Sequence, residues 1–135
     1  MAPRLPLYLC LLLLACTDPF EGLNLNCTAS VEPAILVSLV DGVTGSQGLP
    51  GFPISEFMDR SFGSVRDGGF VDSLRSGEWT GDTLRRLGAA GERAGRYDVL
   101  VRIDGYGDWR ALGVTVERGV CHVQTVELRA VLLPG

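Results

Sequence analysis

The clearest pattern in the chain is the alternation of Tyr97, Val99, Val101 and Ile103 with Asp98, Leu100 and Arg102. A period of two sends successive side chains to opposite faces, so this stretch predicts a strand with one face on a core. Asp104-Gly105 ends it. Earlier, Ala34–Val40 (AILVSLV) is aliphatic and β-branched and stops at Asp41-Gly42, which predicts the first core strand. Phe62–Arg66 and Phe70–Leu74 flank Asp67-Gly68-Gly69, a hairpin signal because glycine tolerates positive φ. Thr83–Leu87, bounded by Gly81 and Gly88, reads as a further strand. Val114 and Val116 alternate in the next, and Glu117-Arg118-Gly119 turns the chain. The last strand is expected to begin with Cys121 and Val123 and to finish with Val126, Leu128, Ala130 and Leu132. The phase slips near Gln124-Thr125, which predicts a bulge.

Between the first strand and the hairpin, Gly42–Phe62 carries glycine and proline repeatedly, as in Gly48-Leu49-Pro50-Gly51-Phe52-Pro53. It reads as a loop or irregular edge, with one helical turn over Ser55–Arg60. No segment reads as a long helix. The expected fold class is all-β, a small sandwich of about seven strands with turn signals between them.

The first residues follow another pattern. Arg4 is followed by the apolar run Leu5–Ala15, a basic start and a short hydrophobic stretch ending in small residues, as in a secretory signal. The run is too short to span a bilayer, which takes about 20 residues. Its end, Leu13-Leu14-Ala15-Cys16, resembles the lipobox of bacterial lipoproteins, which implies cleavage after Ala15 and acylation of Cys16. An ordinary cleaved signal and an uncleaved anchor are the alternatives. Two or more acyl chains anchor stably where one is marginal. Residues 1–15 are thus expected to be the signal peptide, 16–30 a tether and 31–135 the folded domain. Thr17 follows Cys16 where an aspartate would resemble an inner-membrane retention signal. The expected location is therefore a membrane-anchored lipoprotein of the cell envelope, at the outer membrane.

Composition narrows the partners. The chain has 12 basic and 16 acidic residues, none of the basic ones lysine, for a net charge of −4. Removing Arg4 with the signal leaves the domain slightly more acidic still. Nothing here suggests a basic patch for nucleic acid, and export makes one irrelevant. Of the 4 cysteines, Cys10 leaves with the signal and Cys16 takes lipid, so Cys27 and Cys121 remain. In an exported chain two leftover thiols most simply form a disulfide; two free buried thiols are the alternative. Two cysteines and His122 are too few for a structural zinc site, and no metal or cofactor is expected.

Asp41-Gly42-Val43-Thr44-Gly45 after the first strand, then Glu92–Val101 (ERAGRYDVLV) running into Gly105-Tyr106, resembles the carboxypeptidase regulatory-like domain. That family shares a transthyretin-like (prealbumin-like) sandwich, grouped with carbohydrate-binding-like folds. Its pattern is Gly-x-Tyr-x-Val-x-Val followed after a short gap by Gly-Tyr. The resemblance covers roughly Val31–Leu133, and Gly42–Phe62 departs from the family's compact second strand. It implies a seven-stranded transthyretin-like domain. In physical terms, Gly95 permits a tight entry, Tyr97 caps the core face, and Gly105 lets Tyr106 fold over the sandwich edge.

Enzyme signatures are sparse. Zinc carboxypeptidases need a His-x-x-Glu pair and another histidine, and this chain has His122 alone, expected to face outward; there is no Gly-x-Ser-x-Gly elbow or phosphate loop. No catalytic residue is assigned. Asp104 and Asp108 bracket a glycine-rich turn but fall short of a calcium loop, so they read as solvated turn residues. Trp79, Tyr106 and Trp109 fall in or beside predicted loops, where sugar-binding modules place stacking rings; the favoured reading is that they plug the ends of the sandwich, most strongly for Tyr106, and stacking rings are the alternative. Trp109 is the one expected to expose its ring. The function expected is a membrane-anchored, non-catalytic interaction or structural module facing an envelope protein or glycan. A carbohydrate-binding module using the loop aromatics is the alternative.

Overall fold

The apolar run at Ala34–Val40 becomes β1 (Pro33–Asp41), and it lies inside a sheet rather than at its edge. An interior strand covered along its length explains why Ala34, Ile35, Val37, Leu39 and Val40 are all buried. A computed structural model describes residues 27–135; the expected signal segment 1–15, the lipidation site Cys16 and the tether through Asn26 lie outside the described residues. The chain continues through one helical turn, α1 (Ile54–Phe57), to the predicted hairpin of β2 (Gly63–Asp67) and β3 (Phe70–Ser73). Then come β4 (Arg75–Thr80), β5 (Thr83–Gly91), β6 (Gly95–Val101), β7 (Trp109–Val116) and β8 (Val126–Leu132).

These strands form two sheets of four, ordered β4-β5-β1-β8 and β3-β2-β6-β7. All pairs are antiparallel except β1 with β8, which run parallel from Ile35 opposite Val126 to Asp41 opposite Leu132. The fold is the expected all-β sandwich, with eight strands rather than seven. The added strand is β4, whose sequence RSGEWT carries no apolar alternation. It sits at an edge, pairs only with β5, and shifts register around Glu78, so it needs no continuous buried face. Leu74 is the corner between the sheets. It is fully buried, donates its N–H to the Gly63 carbonyl at 3.0 Å and accepts from Phe62 N–H at 2.8 Å.

The last strand is shorter than expected. Cys121-His122-Val123 stays outside the sheet, held by a bridge between Arg118 and Val123, and β8 starts at Val126. The slip near Gln124-Thr125 therefore marks entry into β8 and not a bulge within it. Trp109 is also moved: it is the first residue of β7, opposite Val101, and not part of a turn.

Tyr97, Val99, Val101 and Ile103 point into the core together with Leu39, Leu49, Leu84, Leu87 and Leu132, and among the described residues no buried one is polar or charged by type. The polar atom of Tyr97 is satisfied: its hydroxyl donates to the Arg93 carbonyl at 2.6 Å and accepts from Arg93 Nη1 at 3.1 Å. The Arg93 guanidinium also lies 4.0 Å over the Phe70 ring and pairs with Asp67 at 2.8 Å. The Glu92–Tyr97 motif thus ends in a polar knot at the mouth of the β2–β3 hairpin.

Candidate functional site

The three aromatic residues singled out by the sequence do not converge. Trp79 lies on β4 at one edge of the first sheet, with its indole N–H donated to the Phe52 carbonyl and its ring 6.4 Å from that of Phe62. It closes an aromatic cluster with Phe52, Phe57 and Phe62, whose centroids are 5.3–6.5 Å apart. Trp109 is half-buried against the core. Tyr106 is half-buried as well; its backbone bridges to Pro134, and burial, with Asp41 nearby, pushes its phenol pKa up. No ring pair joins any two of these residues among the described residues. Trp79 and Trp109 stand on strands at edges of different sheets.

Cys27 and Cys121 are joined, with their Cα atoms 5.3 Å apart, a usual spacing for a disulfide. The bridge fastens residues 27–30, expected as the end of the tether, to the β7–β8 connection. His122 was expected outward and solvated, yet its side chain is only 23% exposed and both ring nitrogens are engaged. Nδ1 lies 2.6 Å from Glu92 Oε1 and Nε2 lies 2.9 Å from Thr28 Oγ1. Glu92 also accepts the backbone N–H groups of Glu32 at 2.8 Å and Val123 at 3.3 Å. These bonds, led by that of Glu32 and opposed by partial burial, hold its pKa below the usual carboxylate value. Glu92 keeps a left-handed backbone, φ 54°, rare for a residue with a side chain. The role of Glu92 carried no sequence signal.

Asp104 and Asp108 are not free turn carboxylates. Asp104 pairs with Arg60, while Asp108 accepts from Arg102 Nε at 3.1 Å and Nη2 at 2.8 Å, with Arg110 3.7 Å away. The Arg102 hydrogen bonds lower the pKa of Asp108 and raise that of Arg102. Among the described residues no group of three or more His, Cys, Asp or Glu could hold a metal ion, and no helix is long and apolar enough to cross a membrane.

These ion pairs rim a feature the sequence did not announce. The outward face of β3-β2-β6-β7 carries a cleft of about 480 Å³, lined by Arg60, Arg66 and Arg102, with Asp104 beside them. Alternation on β2 and β6 produces it: Val65, Val99 and Val101 go to the core, so Ser64, Arg66, Leu100 and Arg102 must face out. Register then sets Ser73, Ser64, Leu100 and Arg110 in one row across the strands. A second cleft of about 320 Å³ shares Ser64, Arg66 and Leu100 and extends past Asp98 to Arg110 and Leu112. The two clefts, here termed the track, adjoin on the sheet face, with Ser64, Arg66 and Leu100 lining both. Arg66 makes no ion pair with a described residue.

No protein-family model matches this chain, and no curated protein matches it in sequence.

Proposed function

We propose that the chain is an exported lipoprotein, cleaved after Ala15 and anchored through Cys16, whose carboxypeptidase regulatory-like domain is a non-catalytic interaction module. The observation that carries the reading is the track on the β3-β2-β6-β7 face. It is open to solvent and lined by guanidinium and hydroxyl groups, chemistry suited to holding a partner. His122, the chain's one imidazole, serves instead in the bonds that pin the disulfide-linked connection. The Cys27–Cys121 disulfide supports the reading too, since a disulfide persists in oxidising compartments outside the cytoplasm.

Two measurements test it. Cys16→Ala is expected to release the protein from the membrane fraction or leave its precursor uncut. A variant processed normally and still membrane-bound would sink the lipoprotein reading. A photo-crosslinker at Ser64, in the middle of the track, is expected to trap a defined envelope component in intact cells, and charge reversal at Arg66 should erase that adduct. Equal crosslinking from Ser64 and from a position on the opposite sheet would remove the case for this face.

A further inference from the structure

We infer that the track on the outward face of β3-β2-β6-β7 binds an acidic saccharide chain, its carboxylate or phosphate groups held by Arg66, Arg102 and Arg60. This rests on the reading of the domain as an interaction module and adds the chemistry of what it holds.

The charge distribution comes first. The chain as a whole is acidic, at −4, yet Arg60, Arg66, Arg96, Arg102 and Arg110 gather on or beside this one face. Its carboxylates are already engaged. Asp98 accepts the Gly113 N–H at 2.9 Å, Asp104 holds Arg60, and Asp108 holds Arg102. Arg66, opposite Asp98, makes no ion pair with a described residue. A guanidinium carries five N–H donors in a planar fork. Arg102 spends Nε and one Nη2 hydrogen on Asp108, and Arg60 meets Asp104 through Nη2. Both therefore keep donors for a ligand while the carboxylates fix their orientation.

Spacing and surroundings narrow the ligand. Arg66 lies opposite Asp98, and Arg102 is four positions further along that strand direction. At the rise of a strand their backbones are about 13 Å apart, a spacing that successive units of a charged chain can follow. Between the two arginines lie the hydroxyls of Ser64 and Ser73, neither with a side-chain partner among the described residues, over the side chain of Leu100. Hydroxyls beside an apolar floor match a sugar ring, polar at its rim and apolar on its face. A cleft of about 480 Å³ lies within the roughly 300–1,000 Å³ typical of small-ligand sites, and the adjoining cleft of about 320 Å³ toward Leu112 leaves room for the next unit. The track crosses the face of the sheet. An extended acidic peptide would more naturally add to an open edge strand, where its backbone could pair.

The test uses the mature domain with its disulfide intact, titrated by calorimetry at low salt with four probes. These are an oligogalacturonate, a neutral oligosaccharide of the same length, an acidic peptide, and vesicles containing anionic lipid. The expected result is binding of the oligogalacturonate alone, weakened by added salt as the charges are screened. Arg66→Gln, a surface change outside the core, should weaken it about tenfold or more, while Arg129→Gln on the opposite sheet leaves it unchanged. Serine-to-alanine changes at Ser64 and Ser73 should weaken it further with no change in melting temperature. Equal binding of the neutral sugar, binding of peptide or vesicles in place of the saccharide, or no binding by any probe would each overturn the proposal. An Arg66-dependent crosslink alongside a null titration would do the same and leave the interaction module standing. A Ser64 crosslink no stronger than one from the opposite sheet, with saccharide binding intact, would remove the crosslinking case for an envelope partner and leave the saccharide site standing.

Discussion

Glu92 and His122, thirty positions apart, meet at 2.6 Å between Oε1 and Nδ1, one residue from the disulfide at Cys121. An ionised carboxylate only accepts, so Nδ1 carries the proton, and in the neutral ring Nε2 is left to accept from the Thr28 hydroxyl. The same carboxylate takes the N–H groups of Glu32 and Val123. Three separate segments are therefore gathered on one side chain: the lead-in to β1, the end of β5 and the connection before β8. The disulfide adds a covalent tie across a sequence separation of 94. On the chain-entropy model such a tie stabilises by about 4–5 kcal/mol.

The Glu92 clamp makes stability depend on pH with a definite sign. Its folded-state pKa lies below the ordinary value of 4.5, because the Glu32 N–H and then the His122 ring favour the charged form over the cost of partial burial. That contribution is fully present above the ordinary value and is lost as pH falls through the lowered one. Urea unfolding between neutral and strongly acidic pH should show wild type more stable than Glu92→Gln at neutrality. The gap should close under acid. A gap that stays constant down to the acid end would mean that Glu92 is not the titrating group.

Tyr97→Phe tests the polar knot at the entry to β6. The ring is fully buried, and its hydroxyl is the partner of the Arg93 carbonyl at 2.6 Å and of Arg93 Nη1 at 3.1 Å. Removing it leaves a polar group short of its partner, at a cost of about 1–3 kcal/mol. Equilibrium denaturation should register that loss. An unchanged midpoint would show that water replaces the hydroxyl freely.

Gly63 opens β2 with φ 136°, where a side chain is strained, and a Cβ there would lie 1.9 Å from the Leu100 carbonyl oxygen. The strand pair β2–β6 can close only without that atom. Gly63→Ala is expected to destabilise by about 3 kcal/mol or more, since backbone strain and a backbone clash add. Thermal melts of this variant beside Gly69→Ala, where a Cβ meets nothing within 4 Å, separate a steric effect from a general glycine effect. Equal melting temperatures for the two would contradict the close approach.

Alanine at Trp79, Tyr106 or Trp109 should lower stability, because each ring packs against the core while half-buried. The loss should be about 2–3 kcal/mol, below the roughly 3–5 kcal/mol of a fully buried aromatic ring. Trp79→Ala also strands the Phe52 carbonyl that its indole serves. A Trp109→Ala variant with unchanged melting but lost saccharide affinity would move the ligand surface from the arginine track to this ring.

What the sequence determined by itself was carried by local repetition and by counting. The alternation from Tyr97 to Ile103 and the two-glycine turn at Gly68-Gly69 are set within a few residues, and both are present as read. Cys27 and Cys121 were the pair left by elimination, and they are bonded. Tertiary structure decided the rest, because sheet order and register join positions far apart in the chain. RSGEWT becomes a strand only because β5 offers it an open edge. His122 is sheltered only because Glu92 and Thr28 arrive beside it from other segments. Arg60, Arg66 and Arg102 sit in three stretches with no shared motif, in a chain of net negative charge. They meet in one cleft because β2 and β6 pair with Ser64 opposite Leu100, a choice of register that period-two alternation permits but cannot select.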